Sequence, residues 1–129
     1  MPAEERAQAH LKVADLRQTP AWIAAHPEQW QARVTRSLAS VRDDRDEVGA
    51  RQQLEARKYH DTFARLPRIQ VPVLLAGGEY DGIAPVANMQ RLHEQIPDSS
   101  LQIFQGGHMF LMQDKLAYPA IVEWLQTHI

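Results

Sequence analysis

Residues 69–78, IQVPVLLAGG, are the stretch that most restricts how this 129-residue chain can fold. The core of the stretch is apolar at almost every position, which is typical of a strand covered on both faces in a parallel sheet. Pro72 is compatible with such a strand only near its start. The stretch therefore predicts a buried parallel strand over 69–76, and Gly77 and Gly78 predict a tight turn behind it.

A helix, a second strand and a further helix are predicted after this run. Apolar residues recur at helical spacing between Pro85 and Pro97, which suit the start and the end of a helix. The segment 101–105, LQIFQ, predicts a short strand that ends at Gly106 and Gly107. The apolar stripe of the last helix comprises Ala117, Ile121, Trp124 and Leu125. This order of elements is typical of the α/β class with a parallel sheet.

The first half of the chain has a helical composition, rich in Arg, Gln, Glu and Ala and without a strand-like run. Thr19 followed by Pro20 predicts one helix start, and Pro27 predicts another. Spacings of four, four and three predict a helix over 27–42, and residues 48–63 resume a helical pattern. The two predicted stripes are Trp30, Val34, Leu38 and Val41, and then Ala56, Tyr59 and Phe63. We expect three or four helices in a segment 1–66, and a β-α-β-α segment over 67–129.

Composition narrows the possible partners. The 14 basic and 16 acidic side chains give a net charge of -2, so we expect neither nucleic-acid nor membrane binding. The absence of cysteine excludes disulfides, thiolate metal sites and a cysteine nucleophile. No two histidines have the spacing H-x-x-x-H, and we expect no metal and no cofactor. Without a signal-peptide pattern or a bilayer-length apolar run, the chain is expected to be cytoplasmic.

Asp81 and His108 are the two residues to which we assign chemistry. Asp81 follows the first predicted strand and His108 follows the second. One helical crossover between adjacent parallel strands would bring both to the same edge of the sheet, where ligand chemistry collects. There the carboxylate can accept the Nδ1 proton of the imidazole and leave Nε2 as a general base. The alternatives are a turn carboxylate and a solvated loop histidine, and Glu79 is a competing acid.

The motifs PVLLAGGEYDGIAP and LQIFQGGHMF resemble those that carry the triad acid and the triad histidine in the α/β-hydrolase family. On this resemblance Asp81 is the acid and His108 the histidine. The stretch DLRQTPAWIAAHPEQW and the helices after it resemble the lid of that family, which implies that residues 1–66 are a lid. The implied substrate-binding residues are Trp22 and Trp30 in the lid and Met109 and Phe110 beside the base. The alternatives are lid packing for the two tryptophans and a place mainly in the core for the stretch HMFLMQ. The implied reaction is hydrolysis of an ester, a lactone or a related small acyl compound.

The sequence departs from the family pattern at the nucleophile. The G-x-S-x-G elbow of the family is absent, and the serines of this chain lack that context. These serines are Ser37, Ser40, Ser99 and Ser100. We therefore expect the C-terminal portion of an α/β-hydrolase fold, incomplete without the N-terminal half that would supply the nucleophile. The expected partners are that half or a second copy of this chain. The alternative is a non-catalytic module that oligomerises or binds through a remnant of the fold.

Overall fold

A computed structural model describes residues 1–39 and 44–128. The helical half contains α1 (Ala3–Ala14), α2 (Pro20–Ala25), α3 (Pro27–Ala39), α4 (Asp44–Arg57) and a 3₁₀ helix (Phe63–Arg68). The strand half contains β1 (Val73–Gly78), α5 (Val86–Gln95), β2 (Ser99–Phe104), α6 (Phe110–Gln113) and α7 (Ala117–Thr127). No helix within these ranges combines the length and the apolar character needed to cross a bilayer.

The helical half begins its second and third helices where the prolines predict. The Thr19 hydroxyl accepts a hydrogen bond from the Trp22 N–H at 3.2 Å, and Pro20 occupies the first turn of α2. In α3 the predicted stripe faces α1, and Trp30 and Val34 are buried there. Val41, which was assigned to the same stripe, lies outside the described residues. Four α-helices in 1–39 and 44–66, without a strand, agree with the expectation for this half.

The predicted helical stripe over 48–63 is wrong in its second part. Helix α4 ends at Arg57, and Tyr59 is 88% exposed in the turn that follows. A carboxylate oxygen of Asp61 accepts a hydrogen bond from the Phe63 N–H at 2.9 Å. Aspartate competes with a continuing helix in this way, because its side chain satisfies the backbone locally. The 3₁₀ helix therefore starts anew at Phe63.

The sheet confirms the predicted parallel arrangement. Strands β1 and β2 pair in register from Val73 opposite Ser99 to Gly78 opposite Phe104, and α5 packs on both. The first strand starts after Pro72 and continues through the glycines that were predicted to form a turn. A Cβ on Gly78 would lie 2.2 Å from the Gly107 carbonyl oxygen. Glycine is thus required for the close approach of two backbones.

Burial is less complete than the sequence predicts. The buried apolar side chains of the helical half are those of Ala7, Trp30 and Val34, and those of the strand half are Ile96, Phe104 and Ala117. Residues 73–76 of β1, predicted to be covered on both faces, are only half-buried in the described part of the chain. Strand β1 is therefore more apolar than is typical of a strand that the described part of the chain covers only in part.

Candidate active site

The turns that follow β1 and β2 are hydrogen-bonded to each other at one edge of the sheet. The Glu79 N–H donates to the Phe104 carbonyl at 2.9 Å, and the Tyr80 N–H donates to the Gly106 carbonyl at 2.8 Å. These bonds extend the pairing of the two chains beyond the last residues of the strands. These backbone hydrogen bonds alone therefore fix the two turns relative to each other.

Asp81 and His108 meet at this edge. The imidazole Nδ1 of His108 lies 2.9 Å from the Asp81 Oδ2. The Asp81 side chain is 4% exposed, whereas that of His108 is 45% exposed. The structure thus brings together the two residues that the sequence singled out, with the carboxylate inside and the imidazole reaching the surface.

The two carboxylate oxygens of Asp81 have separate partners. Oδ1 accepts hydrogen bonds from the N–H groups of Ile83 and Ala84 at 2.8 and 2.9 Å, and Oδ2 faces His108. The first pair is the local turn geometry that aspartate commonly adopts. Asp81 is therefore a turn carboxylate and also the partner of the histidine, because the turn fixes one oxygen and leaves the other to the imidazole.

The ionisation of Asp81 determines which nitrogen of His108 carries a proton. Burial alone would raise the pKa of Asp81, but the hydrogen bonds from Ala84, His108 and Ile83 outweigh it and lower the pKa below its ordinary value of 3.8. An ionised carboxylate can only accept, so Nδ1 must be the donor. In the neutral imidazole Nε2 is then unprotonated, which is the state a general base requires.

Glu79, the competing acid in the same turn, is oriented elsewhere. Its side chain is exposed, and its carboxylate accepts a hydrogen bond from the Gln105 side-chain amide. Among the described residues, the carboxylate bonded to His108 is that of Asp81. The geometry therefore favours Asp81 over Glu79 as the acid of this pair.

A segment of the helical half, residues 13–17, contacts both turns and was not predicted to do so. The His108 N–H donates to the Ala14 carbonyl at 2.7 Å, and the Gly82 N–H donates to the Val13 carbonyl at 3.0 Å. The Leu16 N–H donates to the Tyr80 carbonyl at 2.9 Å. The backbone at the end of α1 and just after it thus bonds to residues in both turns, including His108 itself.

Asp15, inside the 13–17 segment, is a buried carboxylate that the sequence alone did not single out. Its two oxygens accept from the Arg17 guanidinium at 2.9 and 2.7 Å, and one of them also accepts from the Gln113 amide at 3.2 Å. Burial would raise the pKa of Asp15, yet the bonds and charge of Arg17, with the bond from Gln113, lower it. Its sequence signal, an aspartate two residues before an arginine at a helix end, is common on protein surfaces and therefore weak.

The four predicted substrate-binding residues have different surroundings. Trp30 is buried in the contact between α1 and α3, with the Lys12 ammonium 5.9 Å from its ring centroid. Trp22 is half-buried and stacks on His26 at 4.7 Å between ring centroids. Met109 is 53% exposed next to His108, whereas Phe110 stacks on Phe104 at 5.6 Å. Of the four, Met109 is the residue that directly follows His108 in the chain, and it is also mostly exposed.

The exposure of residues 109–112 corrects the view that this stretch is mainly core. Met109, Leu111 and Met112 are exposed, and Met112 is exposed to 80%. The stretch turns into the short helix α6 just after His108, and the Phe110 ring stacks on the strand residue Phe104. A single turn of helix presents most of its side chains to solvent, which the apolar sequence HMFLMQ does not indicate.

Two described serines lie away from His108. Ser99 is the first residue of β2, and its hydroxyl lies 2.8 Å from the Nδ1 of His93. The first residue of β2 and the turn after its last residue are at opposite ends of the strand, so this pair is separate from the pair of Asp81 and His108. Ser100 is paired with Leu74 in the sheet. Ser40 lies outside the described residues.

Comparison with known proteins identifies the family of this chain. The model of the family described as "alpha/beta hydrolase fold" matches residues 7–115, which include both turns. The chain belongs to the α/β-hydrolase family. A two-stranded parallel sheet with flanking helices is therefore part of an α/β-hydrolase fold, as the sequence predicted.

Three curated relatives are hydrolases by name. A poly(3-hydroxyalkanoate) depolymerase of Ectopseudomonas oleovorans is 37% identical over 47% of this chain and 22% of its own length. A candidate carbamate hydrolase, RutD, of Stutzerimonas stutzeri strain A1501 is 29% identical over 88% of this chain and 43% of its own. The 3-oxoadipate enol-lactonase 2 of Acinetobacter baylyi is 33% identical over 54% and 26%, respectively. The chain spans less than half the length of each relative.

Among solved structures, a proline iminopeptidase of Mycobacterium smegmatis is similar over 99% of this chain and 49% of its own. The TM-score is 0.48 at 20% identity.

Proposed function

We propose that this α/β-hydrolase chain supplies the acid and the base for hydrolysis of an ester, a lactone or a related acyl compound. Asp81 is the acid, His108 is the base, and a serine outside this chain is the nucleophile. The observation that carries the proposal is the 2.9 Å bond between a buried carboxylate and an imidazole whose other nitrogen remains for a substrate-side partner. The orientation of the imidazole by an ionised acceptor is what nucleophilic acyl transfer needs.

In the proposed reaction His108 Nε2 takes the serine hydroxyl proton while the serine oxygen attacks the acyl carbon. The imidazolium that forms lies against the Asp81 carboxylate, which stabilises its charge without accepting its proton. The same proton then passes to the departing alcohol oxygen as the acyl–oxygen bond breaks. Water deprotonated by His108 releases the acid and regenerates the serine.

The apolar side chains beside the catalytic pair support an acyl substrate with an apolar portion. Met109 follows the histidine and Ile83 follows the turn of Asp81, and both are substantially exposed. Val13 and Leu16 are exposed as well, and both lie against Gly82. Two relatives are named for a poly(3-hydroxyalkanoate) and an enol-lactone, which are esters by their chemistry. This resemblance favours an ester bond as the one that is cleaved.

The proposal is tested with p-nitrophenyl butyrate and the full chain, alone and mixed with a polypeptide carrying the serine-bearing N-terminal half of a family member. We expect turnover only in the mixture. His108→Ala and Asp81→Asn should each lower kcat by roughly three to four powers of ten. Glu79→Gln, which changes the exposed acid of the same turn, is the matched control and should leave kcat unchanged.

Two results would contradict this assignment. Enzyme-like turnover by the chain alone, together with labelling by a fluorophosphonate, would place the nucleophile within these 129 residues. Undiminished turnover in the His108→Ala mixture would remove the histidine from the reaction.

A non-catalytic binding module is the second candidate, and the half-buried first strand favours it. Strand β1 pairs with β2 on one side only within the described residues, and its apolar residues 73–76 are partly exposed. An apolar strand with an open edge recruits another strand. We therefore propose that β1 pairs with a second copy of the chain when no N-terminal half is present. A monodisperse monomer in multi-angle light scattering at micromolar concentration would exclude this self-association.

A further inference from the structure

We propose that Asp15 is a positioning residue for His108 and acts through the side chain of Gln113 and the backbone of Gly107. The inference rests on the proposed function only in that the imidazole being positioned is the proposed base. Asp15 belongs to the segment after α1, far from His108 along the chain. It therefore ties the orientation of the base to the helical half of the protein.

Two hydrogen bonds connect Asp15 to Gly107, the residue before His108. The Gln113 Nε2 donates to the Asp15 Oδ2 at 3.2 Å, and the Gln113 Oε1 accepts from the Gly107 N–H at 2.7 Å. Gly107 directly precedes His108 in the chain. Gln113 thus holds the peptide group between Gly106 and Gly107, one residue before His108, and Asp15 holds Gln113.

The charge of Asp15 fixes which way the Gln113 amide points. A carboxylate can only accept hydrogen bonds, so the amide must turn its NH₂ toward Asp15 and its oxygen toward Gly107. Asp15 is 4% exposed, and the two-point bond from Arg17 keeps it ionised in that position. A neutral residue at position 15 would leave both amide orientations open and with them the bond to Gly107.

The backbone around Asp15 supports the same histidine from a second direction. The Ala14 carbonyl accepts from the His108 N–H at 2.7 Å. A Cβ on Gly107 would lie 2.2 Å from the Ala14 carbonyl oxygen and 2.8 Å from the Asp15 Cα. The segment after α1 and the histidine turn are therefore in direct backbone contact, so that a shift of Asp15 is transmitted to His108.

A purely structural role for Asp15, as the partner of Arg17 at the end of α1, makes a different prediction. In that case a change at Gln113, which is an exposed residue on α6, would leave the imidazole of His108 as it is. Variants at position 113 distinguish the two roles without disturbing the buried carboxylate. Gln113→Leu removes both hydrogen bonds, and Gln90→Leu, at an exposed position of α5, is the matched control.

The experiment is nitrogen-15 NMR of the full chain, which reports the tautomer of His108, with hydrogen exchange of the Gly107 amide. In the wild type we expect the proton on Nδ1 and a protected amide. In Gln113→Leu we expect about tenfold faster exchange at Gly107, as for the loss of one hydrogen bond. The tautomer of His108 should become mixed in the same variant. Gln90→Leu should match the wild type in both measurements.

Exchanging the hydrogen-bond donor and acceptor between positions 15 and 113 should restore the wild-type state of His108. A purely structural role for Asp15 does not predict this rescue. Gln113→Glu alone places two carboxylates together and should disturb His108 as Gln113→Leu does. Adding Asp15→Asn places a donor at position 15, while the carboxylate introduced at position 113 can still accept from the Gly107 N–H. The double variant should therefore regain the Nδ1 tautomer and the slow exchange at Gly107, at least in part.

The outcomes separate this inference from the proposed function. A folded Gln113→Leu variant with the wild-type tautomer and the wild-type exchange rate would overturn the positioning role, whether or not the chain takes part in hydrolysis. The expected NMR changes, together with no turnover in any mixture, would support the role and contradict the proposed function instead. If Asp15→Asn fails to fold, the variants at the exposed position 113 decide the question alone.

Discussion

The strand half and the helical half differ in how they contribute to the site. The strand half presents Asp81 and His108 on two turns that are bonded to each other through the backbone. The helical half reaches these turns through residues 13–17, while residues 48–57 of α4 are mostly exposed to solvent. The strand half therefore holds the pair of Asp81 and His108, and residues 13–17 of the helical half bond to both of its turns. Substitutions should accordingly destabilise the protein most near the turns, less between α1 and α3, and least along α4.

The largest effect is expected where the two turns touch. Gly78→Ala would place a Cβ 2.2 and 2.5 Å from the carbonyl oxygens of Gly107 and Gly106. Both obstacles are backbone atoms that also hold the histidine turn, so they cannot move freely. We expect a loss of about 3 kcal/mol in the free energy of unfolding, measured by urea titration. A variant as stable as the wild type would show that the turns are not in this close contact.

The same backbone constraints explain why this part of the site could be predicted from the sequence. Strand order and the glycine pairs are local signals, and they suffice to place Asp81 and His108 at one edge. Asp15 could not be found in this way, because its partner Gln113, and the Gly107 N–H to which Gln113 bonds, are brought to it only by the folded chain. The sequence carries no periodicity that links those positions.

Within the helical half, α3 and α4 differ in how far their apolar side chains are buried. Val34 on α3 is fully buried, whereas Leu54 on α4 is 57% exposed. Val34→Ala should lower the free energy of unfolding by about 2 kcal/mol, because it removes buried apolar groups and leaves a cavity. Leu54→Ala, its counterpart on the exposed helix, should change it by less than about 0.5 kcal/mol. Equal losses in urea titrations would mean that α4 is packed as firmly as α3.

The helical half also shows where sequence periodicity is insufficient. Trp30 and Val34 follow the predicted spacing and are buried, since α1 covers the stripe that they form. Tyr59 belongs to an equally regular pattern and is almost fully exposed, because the chain leaves the helix at Arg57. Beside His108, Met109 and Phe110 are adjacent and both apolar, yet Phe110 stacks on Phe104 whereas Met109 is 53% exposed. Which apolar residue is covered depends on the neighbouring element rather than on the pattern.

The strand half and the helical half each contain a buried carboxylate, Asp81 and Asp15, whose contributions to stability depend on pH. The pKa values of Asp81 and Asp15 both lie below 3.8, so each contributes stability above that pH and loses it as the pH falls through the lowered value. Asp81→Asn and Asp15→Asn should each cost about 1 to 3 kcal/mol at pH 7. The difference from the wild type should begin to shrink as the pH falls below 3.8 and should disappear once the pH passes the lowered pKa, where the wild-type carboxyls are protonated as well.

Urea titrations from pH 7 down to about pH 3 measure both contributions. If the carboxylates act independently, the losses in the double variant add, and a smaller combined loss would indicate coupling through the turn of His108. A variant whose deficit stays constant with pH would show that its carboxylate contributes by packing rather than by charge.

The smallest expected effect has the opposite sign and lies on α4. A Cβ added to Gly49 would meet no atom within 4 Å, in contrast to Gly78. Gly49→Ala should therefore raise the free energy of unfolding by about 0.5 to 1 kcal/mol, since alanine restricts the unfolded chain and favours a helix. A thermal melt of this variant beside that of Gly78→Ala compares one substitution in two surroundings. If both changes destabilised the chain, α4 would be packed against other parts of the protein, and the distinction between a constrained site and a tolerant helix would fail.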